Sequence, residues 1–174
     1  MGLLLYTDRV ERYLPPRKNR QHITQLIHAT LFHEPRGTGT SLATALKFLN
    51  NVIHRRAIVF VLSDFHDDTF ERTLKSTNQR HEVIALPITD VRDRDLPDVG
   101  IAMLHDPESD ESFEVDTADP RVRDAWAQWH DRRMEALMND FRRSRIGAFE
   151  LQTGRPYAHR LRAFFDRHSR RRIA

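Results

Sequence analysis

Ala57-Ile58-Val59-Phe60-Val61-Leu62-Ser63-Asp64 is the stretch that decides the fold. It is apolar at odd and even positions alike and stops at an aspartate, which predicts a central parallel strand covered by helices on both faces. Upstream, Leu42, Ala45, Leu46, Leu49 and Ile53 mark the buried side of a helix, with Thr40 or Ser41 as its cap. Before that, Ile23, Leu26, Ile27 and Leu31 fall at helical spacing within residues 20–32. Residues 2–7 read as a buried strand and 10–14 as its half-exposed neighbour in a hairpin-like pair, ended by Pro15-Pro16. Downstream, a helix over about 68–80 leads to a strand at 83–86. This alternation of strand and helix is the pattern of an α/β layered fold.

Further along, 90–98 reads as a charged loop, and 100–104 with 112–115 as a small acidic hairpin turning through 106–110. A long helix is expected over 120–143, with Asp119 as cap and Pro120 in its first turn. Val122, Trp126, Trp129, Met134, Leu137, Met138 and Phe141 form its apolar side. A last strand over 146–151 and a helix over 157–169, carrying Leu161, Phe164 and Phe165 inward, close the chain. Without internal repeats or a low-complexity linker, residues 1–174 read as a single domain, with 100–116 as a hairpin insertion.

Composition narrows the chemistry. The 174 residues are 39% apolar and 30% charged, as in a soluble globular domain. The absence of cysteine excludes disulfides, thiolate nucleophiles and cysteine-ligated metals. With no apolar run near the ~20 residues of a spanning helix and no signal peptide, a cytoplasmic location is the expectation. The net charge of +3 hides a strong asymmetry. Residues 88–119 hold eleven Asp and Glu against two Arg, whereas 141–174 hold ten Arg against two acids. The basic end reads either as a solvated terminal helix or as a surface for nucleic acid or an anionic partner.

Ligands of open α/β sheets bind at the carboxyl ends of parallel strands, which draws attention to Thr40 and Asp64. A hydroxyl at a helix start and a carboxylate at a strand end are hard oxygen donors for magnesium, but two are too few for a tight site. Equally, Thr40 caps its helix and Asp64 its loop, with no further role. The loop Gly37-Thr38-Gly39-Thr40-Ser41 lacks the lysine of a P-loop, and no dinucleotide fingerprint follows a strand. Of ten histidines, only His66 lies near this edge, two residues past Asp64. Ser63 lacks the glycine framing of a nucleophile elbow, and the acidic run 106–116 lacks the spacing of a calcium loop. No hydrolase constellation emerges, which shifts weight toward binding.

The ordered set Gly2-Leu3-Leu4-Leu5-Tyr6-Thr7-Asp8, Pro15-Pro16-Arg17-Lys18, Arg36-Gly37-Thr38-Gly39-Thr40-Ser41-Leu42, Arg55-Arg56 through Ser63-Asp64-Phe65, His81-Glu82-Val83-Ile84-Ala85-Leu86 and Asp95-Leu96-Pro97-Asp98-Val99-Gly100 carries a resemblance. It resembles the bacterial von Willebrand factor A-like proteins known as domain of unknown function 58, often encoded beside MoxR-type AAA ATPases. The resemblance covers essentially the whole chain.

It implies a von Willebrand A-like, Rossmann-like three-layer α/β sandwich with a mostly parallel central sheet, here N-terminally truncated. Such folds carry a metal-ion-dependent adhesion site, in which an Asp-x-Ser-x-Ser loop after the first strand joins a threonine and an aspartate. Thr40 resembles that threonine and Asp64 that aspartate, while the Asp-x-Ser-x-Ser loop and first strand have no counterpart here. Magnesium, expected for a complete member, is therefore not expected to bind tightly to this chain. Arg36, Ser41, Phe65 and His66 are the candidate partner-binding residues around that surface. The implied function is a non-enzymatic interaction module resembling adaptor or assembly factors, with a protein partner such as a MoxR-type AAA ATPase. A missing central strand would leave two open ladder edges, so self-association across them is also expected. Nucleic-acid or anionic-partner binding through the Arg-rich end is the alternative, and a metal-dependent hydrolase using Asp64 and His66 a remoter one.

Overall fold

The computed structural model describes residues 1–67, 69–105 and 111–170, excepting the side chains of 160 and 167–170. In chain order the elements are β1 (Leu3–Tyr6), β2 (Val10–Leu14), α1 (Arg20–Leu31), α2 (Leu42–Val52), β3 (Ile58–Ser63), α3 (Glu71–Arg80) and β4 (Glu82–Thr89). There follow α4 (Val91–Arg94), β5 (Ile101–His105), β6 (Ser112–Asp116), α5 (Pro120–Arg143), β7 (Gly147–Ala148), β8 (Leu151–Gln152) and α6 (Ala158–Arg170). The expected turn at 106–110 lies outside the described residues. The chain gathers into two compact units.

The first unit comprises Met1–Ala57 and His66–His81. β1 and β2 pair antiparallel, Leu3 opposite Leu14 and Leu5 opposite Arg12, with an irregularity between Leu5 and Tyr6. α1 starts at Asn19, whose side chain accepts from the His22 amide at 2.6 Å, and turns His22, Leu26 and Ala29 inward. The buried His22 ring meets the Met1 carbonyl at 3.0 Å. α2 starts at Ser41, whose hydroxyl accepts from the Thr44 amide at 3.3 Å, and buries Leu42, Ala43, Ala45 and Leu46. Tyr13 packs edge-on against Phe48, centroids 5.4 Å apart. α3 buries Leu74 and Thr77, and Asn50 of α2 donates to the Thr77 hydroxyl at 2.9 Å. A fully buried hydroxyl is thus satisfied by its neighbouring helix.

The second unit comprises Ile58–Phe65 and most of the chain from Glu82 onward. β3 and β4 pair in parallel from Ile58 opposite Glu82 to Ser63 opposite Pro87. β7 and β8 both pair in parallel with the other edge of β4. This is the mixed α/β, Rossmann-like arrangement with a mostly parallel sheet that the sequence predicts. Its centre differs from expectation: β4 is the interior strand, burying Val83, Ile84, Ala85 and Leu86. β3 stands at the end of the order, and only Val59 and Val61 are buried, whereas Ile58, Phe60 and Leu62 are about half exposed. β4 also runs past Pro87 to Thr89, where the sequence suggests an end at Leu86. The last strand is split into β7, opposite Ile84 and Ala85, and β8, opposite Ile88 and Thr89. The break falls opposite Leu86 and Pro87, where proline has no N–H to donate.

β5 and β6 form a separate antiparallel ribbon, its base tied by Thr117, whose hydroxyl donates to the Gly100 carbonyl at 2.6 Å and accepts from the Val99 amide at 3.1 Å. Gly100 has a φ of 76°, which a residue with a Cβ adopts only under strain. α5 is capped by Asp119, as the sequence predicts, and is clasped to α4 by a two-pronged Arg94–Asp131 ion pair at 2.8 and 3.0 Å. Trp126 adds a bond from its indole N–H to the Asp93 carbonyl at 2.9 Å. Among the described residues, β1 and β3 each carry a ladder on one side only.

Candidate functional site

Arg36, Thr40 and Ser41 belong to the first unit, on the loop that joins α1 to α2. Gly37 makes the loop's conformation possible. A Cβ there would lie 2.1 Å from Asp8 Oδ1 and 2.2 Å from Thr7 Oγ1, well inside contact distance. The loop therefore rests directly on the β1–β2 turn. Glu11 of β2 holds it there: its side chain, 3% exposed, accepts from the Thr7 hydroxyl at 2.8 Å, the Gly37 amide at 2.9 Å and the Arg36 amide at 3.2 Å. The Thr7 hydroxyl bond, joined by the two amides and His33, holds the Glu11 carboxyl below its ordinary pKa against the opposing effect of burial. The Ser41 amide donates to the Thr7 carbonyl at 2.9 Å, closing the loop's far end.

Asp67 completes this half. One carboxylate oxygen accepts from the Leu42 amide at the start of α2, at 3.0 Å, and the other from the Thr69 amide at 2.7 Å. The start of α2 thus has two caps: the Ser41 hydroxyl and a carboxylate from the segment after β3. Of the two residues the sequence offers as cap, Ser41 fills the position. Arg36 and His66 are exposed, and Thr40 and Ser41 half-buried.

Asp64 and Phe65 belong to the second unit, at the carboxyl end of β3. Asp64 is exposed and stands beside the Ser63 hydroxyl, 3.4 Å away. The sequence places Phe65 among the contact residues, but the structure buries it at 3% exposure. Its ring packs edge-on against Phe141, centroids 5.2 Å apart, and its carbonyl accepts from Arg133 of α5 at 2.8 Å. Its amide donates to the Ser63 hydroxyl at 3.0 Å. Phe65 adopts a left-handed φ of 55°, unusual for an aromatic residue, and acts as the anchor of the turn after β3.

Thr40 and Asp64 supply one hydroxyl and one carboxylate, against the six or more oxygens of a magnesium or calcium shell. Among the described residues, no group of three or more His, Asp or Glu side chains is arranged to hold a metal ion. Sequence reasoning missed Glu11, Gly37 and Asp67, the residues that fix the loop and the α2 start. Glu11 looks like an ordinary exposed strand residue, and only its meeting with the Arg36 and Gly37 amides reveals its role. Of the arginines expected to form a basic terminal surface, Arg142 donates to its own helix at the Met138 carbonyl and Arg143 lies 3.7 Å from Asp140. The side chains of Arg160, Arg167 and Arg170, and residues 171–174, lie outside the described residues.

The chain matches over residues 1–136 a family model described as "Protein of unknown function DUF58". An uncharacterized protein of Mycobacterium bovis is 34% identical over 131 residues, which cover 74% of this chain and 41% of that protein. An uncharacterized protein of Mycobacterium tuberculosis is similar to the same extent. A third, from Mycobacterium avium, is 34% identical over 117 residues, 65% of this chain and 69% of its own length. The chain thus spans less than half the length of the first two relatives. No solved structure matches it significantly. With the match running through both the loop 36–41 and the β3–β4 sheet, this chain belongs to the DUF58 family of von Willebrand A-like proteins.

Proposed function

We propose that this chain is a non-enzymatic protein-interaction module whose contact surface is the loop bearing Arg36, Thr40 and Ser41, together with the exposed His66. The single observation that supports this reading is the bracing of that loop. Glu11, Gly37 and the Thr7 carbonyl fix its backbone, so a polar surface is held in one geometry before any partner arrives. A surface ordered in advance loses little conformational entropy on binding. Asp64 of the second unit enters the same proposal as a separate contact residue. On this reading Thr40 in the first unit and Asp64 in the second each act as a polar contact residue, without a metal ion. A MoxR-type AAA ATPase is the partner that the family resemblance favours.

The test is binding of the full chain to a purified MoxR-type ATPase encoded beside a family member, followed by biolayer interferometry with and without magnesium. Replacing Arg36 by Glu, or Thr40 by Asp, is expected to weaken binding at least about tenfold, as for a charge or hydroxyl at an interface centre. Circular dichroism and melting temperature should stay unchanged. Binding that ignores both substitutions would refute the assignment of this surface, and loss of binding on chelation would refute the metal-free reading.

A further inference from the structure

Two exposed faces of this chain complement each other in charge and share an apolar character, and neither belongs to the surface discussed above. The first is on α1. Ile23, Ile27 and Leu31 follow one another at four-residue spacing and are 45%, 56% and 70% exposed. Four-residue steps place them in one stripe along the helix. Beside it, β2 and α1 enclose a shallow groove of about 420 Å³ lined by Arg12, Leu14, Gln21, Thr24, Gln25 and His28. Residues 12–33 contain Arg12, Arg17, Lys18 and Arg20 and not one Asp or Glu. All four cations are exposed.

The second face is on the β5–β6 ribbon. Ile101 and Met103 are 68% and 65% exposed and, two residues apart on one strand, point to the same side. Directly opposite them on β6 stand Asp116 and Glu114, both exposed. Residues 98–119 hold eight Asp and Glu and no Lys or Arg. An apolar pair framed by carboxylates is the complement of an apolar stripe framed by cations.

We propose that the α1 face of one copy of this chain docks on the β5–β6 ribbon of a second copy. Each face is exposed and the two are complementary in charge, so a second copy, which carries both, is the occupant that matches each. Burying the isoleucine, leucine and methionine side chains supplies attraction, and the opposed charges select the orientation and exclude stripe-on-stripe and ribbon-on-ribbon pairings. The contact joins two different patches, so it either closes into a reciprocal pair or continues into larger assemblies.

Sedimentation velocity of the purified full chain tests this. From low to high micromolar protein the sedimentation coefficient is expected to rise. The rise should fade as ionic strength increases from about 0.1 M to about 1 M, which shortens the Debye length from about 10 Å to about 3 Å. Two charge-reversed variants make the test specific: Lys18→Glu with Arg20→Glu on the first face, and Glu111→Lys with Glu114→Lys on the second. New acids at the start of α1 favour the helix macrodipole, so the first variant is expected to fold. Each variant alone should lose self-association by at least about tenfold, since like charges then face each other. Mixing the two should restore it, because each reversed face finds a reversed counterpart. Wild-type chain that stays monomeric at every concentration would overturn the proposal. So would association that survives either reversal, which would assign it to the open strand edges, or a mixture that fails to recover.

Discussion

Replacing Gly37 by Ala tests whether the loop rests on the β1–β2 turn as tightly as the structure has it. The new methyl would sit 2.1 Å from Asp8 Oδ1, 2.2 Å from Thr7 Oγ1 and 2.9 Å from Thr7 Cβ. Ordinary contacts between such atoms lie near 3.5 Å, so the two oxygens must retreat by roughly 1.3–1.4 Å. The Thr7 oxygen is not free to do so: it is bonded to Glu11 at 2.8 Å and to Asp8 at 3.1 Å. Overpacking of this kind costs about 1–3 kcal/mol, offset by about 0.4–1 kcal/mol from the lower entropy of the unfolded alanine chain. The net expectation is a loss of about 1–2 kcal/mol. For a chain of 174 residues that lowers the melting temperature by about 2–8 °C. Urea titration followed by circular dichroism measures it directly. The decisive control is the same glycine replacement in a Thr7→Ala, Asp8→Ala background. With both oxygens gone and only the 2.9 Å approach to the Cβ of residue 7 left, the loss caused by Gly37→Ala should shrink markedly, a coupling that a double-mutant cycle reads. An equal loss in both backgrounds, or no loss in either, would refute the close approach.

Three further outcomes follow from buried groups. His81 is 2% exposed, and burial, aided by the Arg80 charge, holds its ring below the usual histidine pKa. Its unfolded pKa of about 6.5 is thus the higher one, so its contribution to stability is complete above that pH and lost as pH falls toward the folded value. Comparing wild type with His81→Phe by urea titration between neutral and mildly acidic pH should show a steeper acid loss in wild type; parallel profiles would contradict this. Phe65→Ala removes the ring packed on Phe141 and should cost about 3–5 kcal/mol, whereas Phe65→Gly, free to keep a φ of 55°, should lose about 1 kcal/mol less. A glycine variant less stable than the alanine variant would remove the conformational argument. Leu74→Ala, at a fully buried position of α3, should lower stability by about 2–5 kcal/mol, and a loss under 1 kcal/mol would mean the site collapses freely.

The legible parts of this fold are those where neighbours in sequence enforce the pattern. The caps Asp119 and Ser41, the Pro120 start of α5 and the helical spacing of Leu42, Ala45 and Leu46 are local, and each forms as expected. Rank within the sheet is a different matter. Ile58 through Leu62 is as apolar as Val83 through Leu86, and both runs satisfy the rule for buried strands. Pairing distinguishes them: among the described residues β4 has a neighbour on each side and β3 on one. Pro87 misleads for a related reason. Proline usually ends an interior strand, yet β4 passes through it because the partner ladder breaks into β7 and β8 at that point. The chain concedes the bond on the partner strand and retains the strand.

The same distinction applies to the site. Thr40 and Asp64 stand out in the sequence because hydroxyls and carboxylates at element ends are where ligands bind, and the backbone around each is fixed by residues distant in sequence. Glu11 and Gly37 fix the loop before Thr40 within the first unit. Within the second, Phe65 fixes the turn after Asp64 through its ring on Phe141 and the Arg133 bond to its carbonyl. The supports look unremarkable as letters because their function depends on partners distant in sequence: Glu11 lies 26 residues from Gly37, and Phe65 lies 68 from Arg133. A buried carboxylate and an aromatic residue in a left-handed conformation are costly to maintain unless the surroundings compensate them, as the three donors to Glu11 do. Both costs are met beside the residues that the family resemblance marks for recognition. The fold therefore uses buried interactions to hold exposed groups still. On the proposed reading, Glu11→Ala or Phe65→Ala should weaken partner binding in the same interferometry assay by displacing Thr40 or Asp64, with no contact to the partner removed.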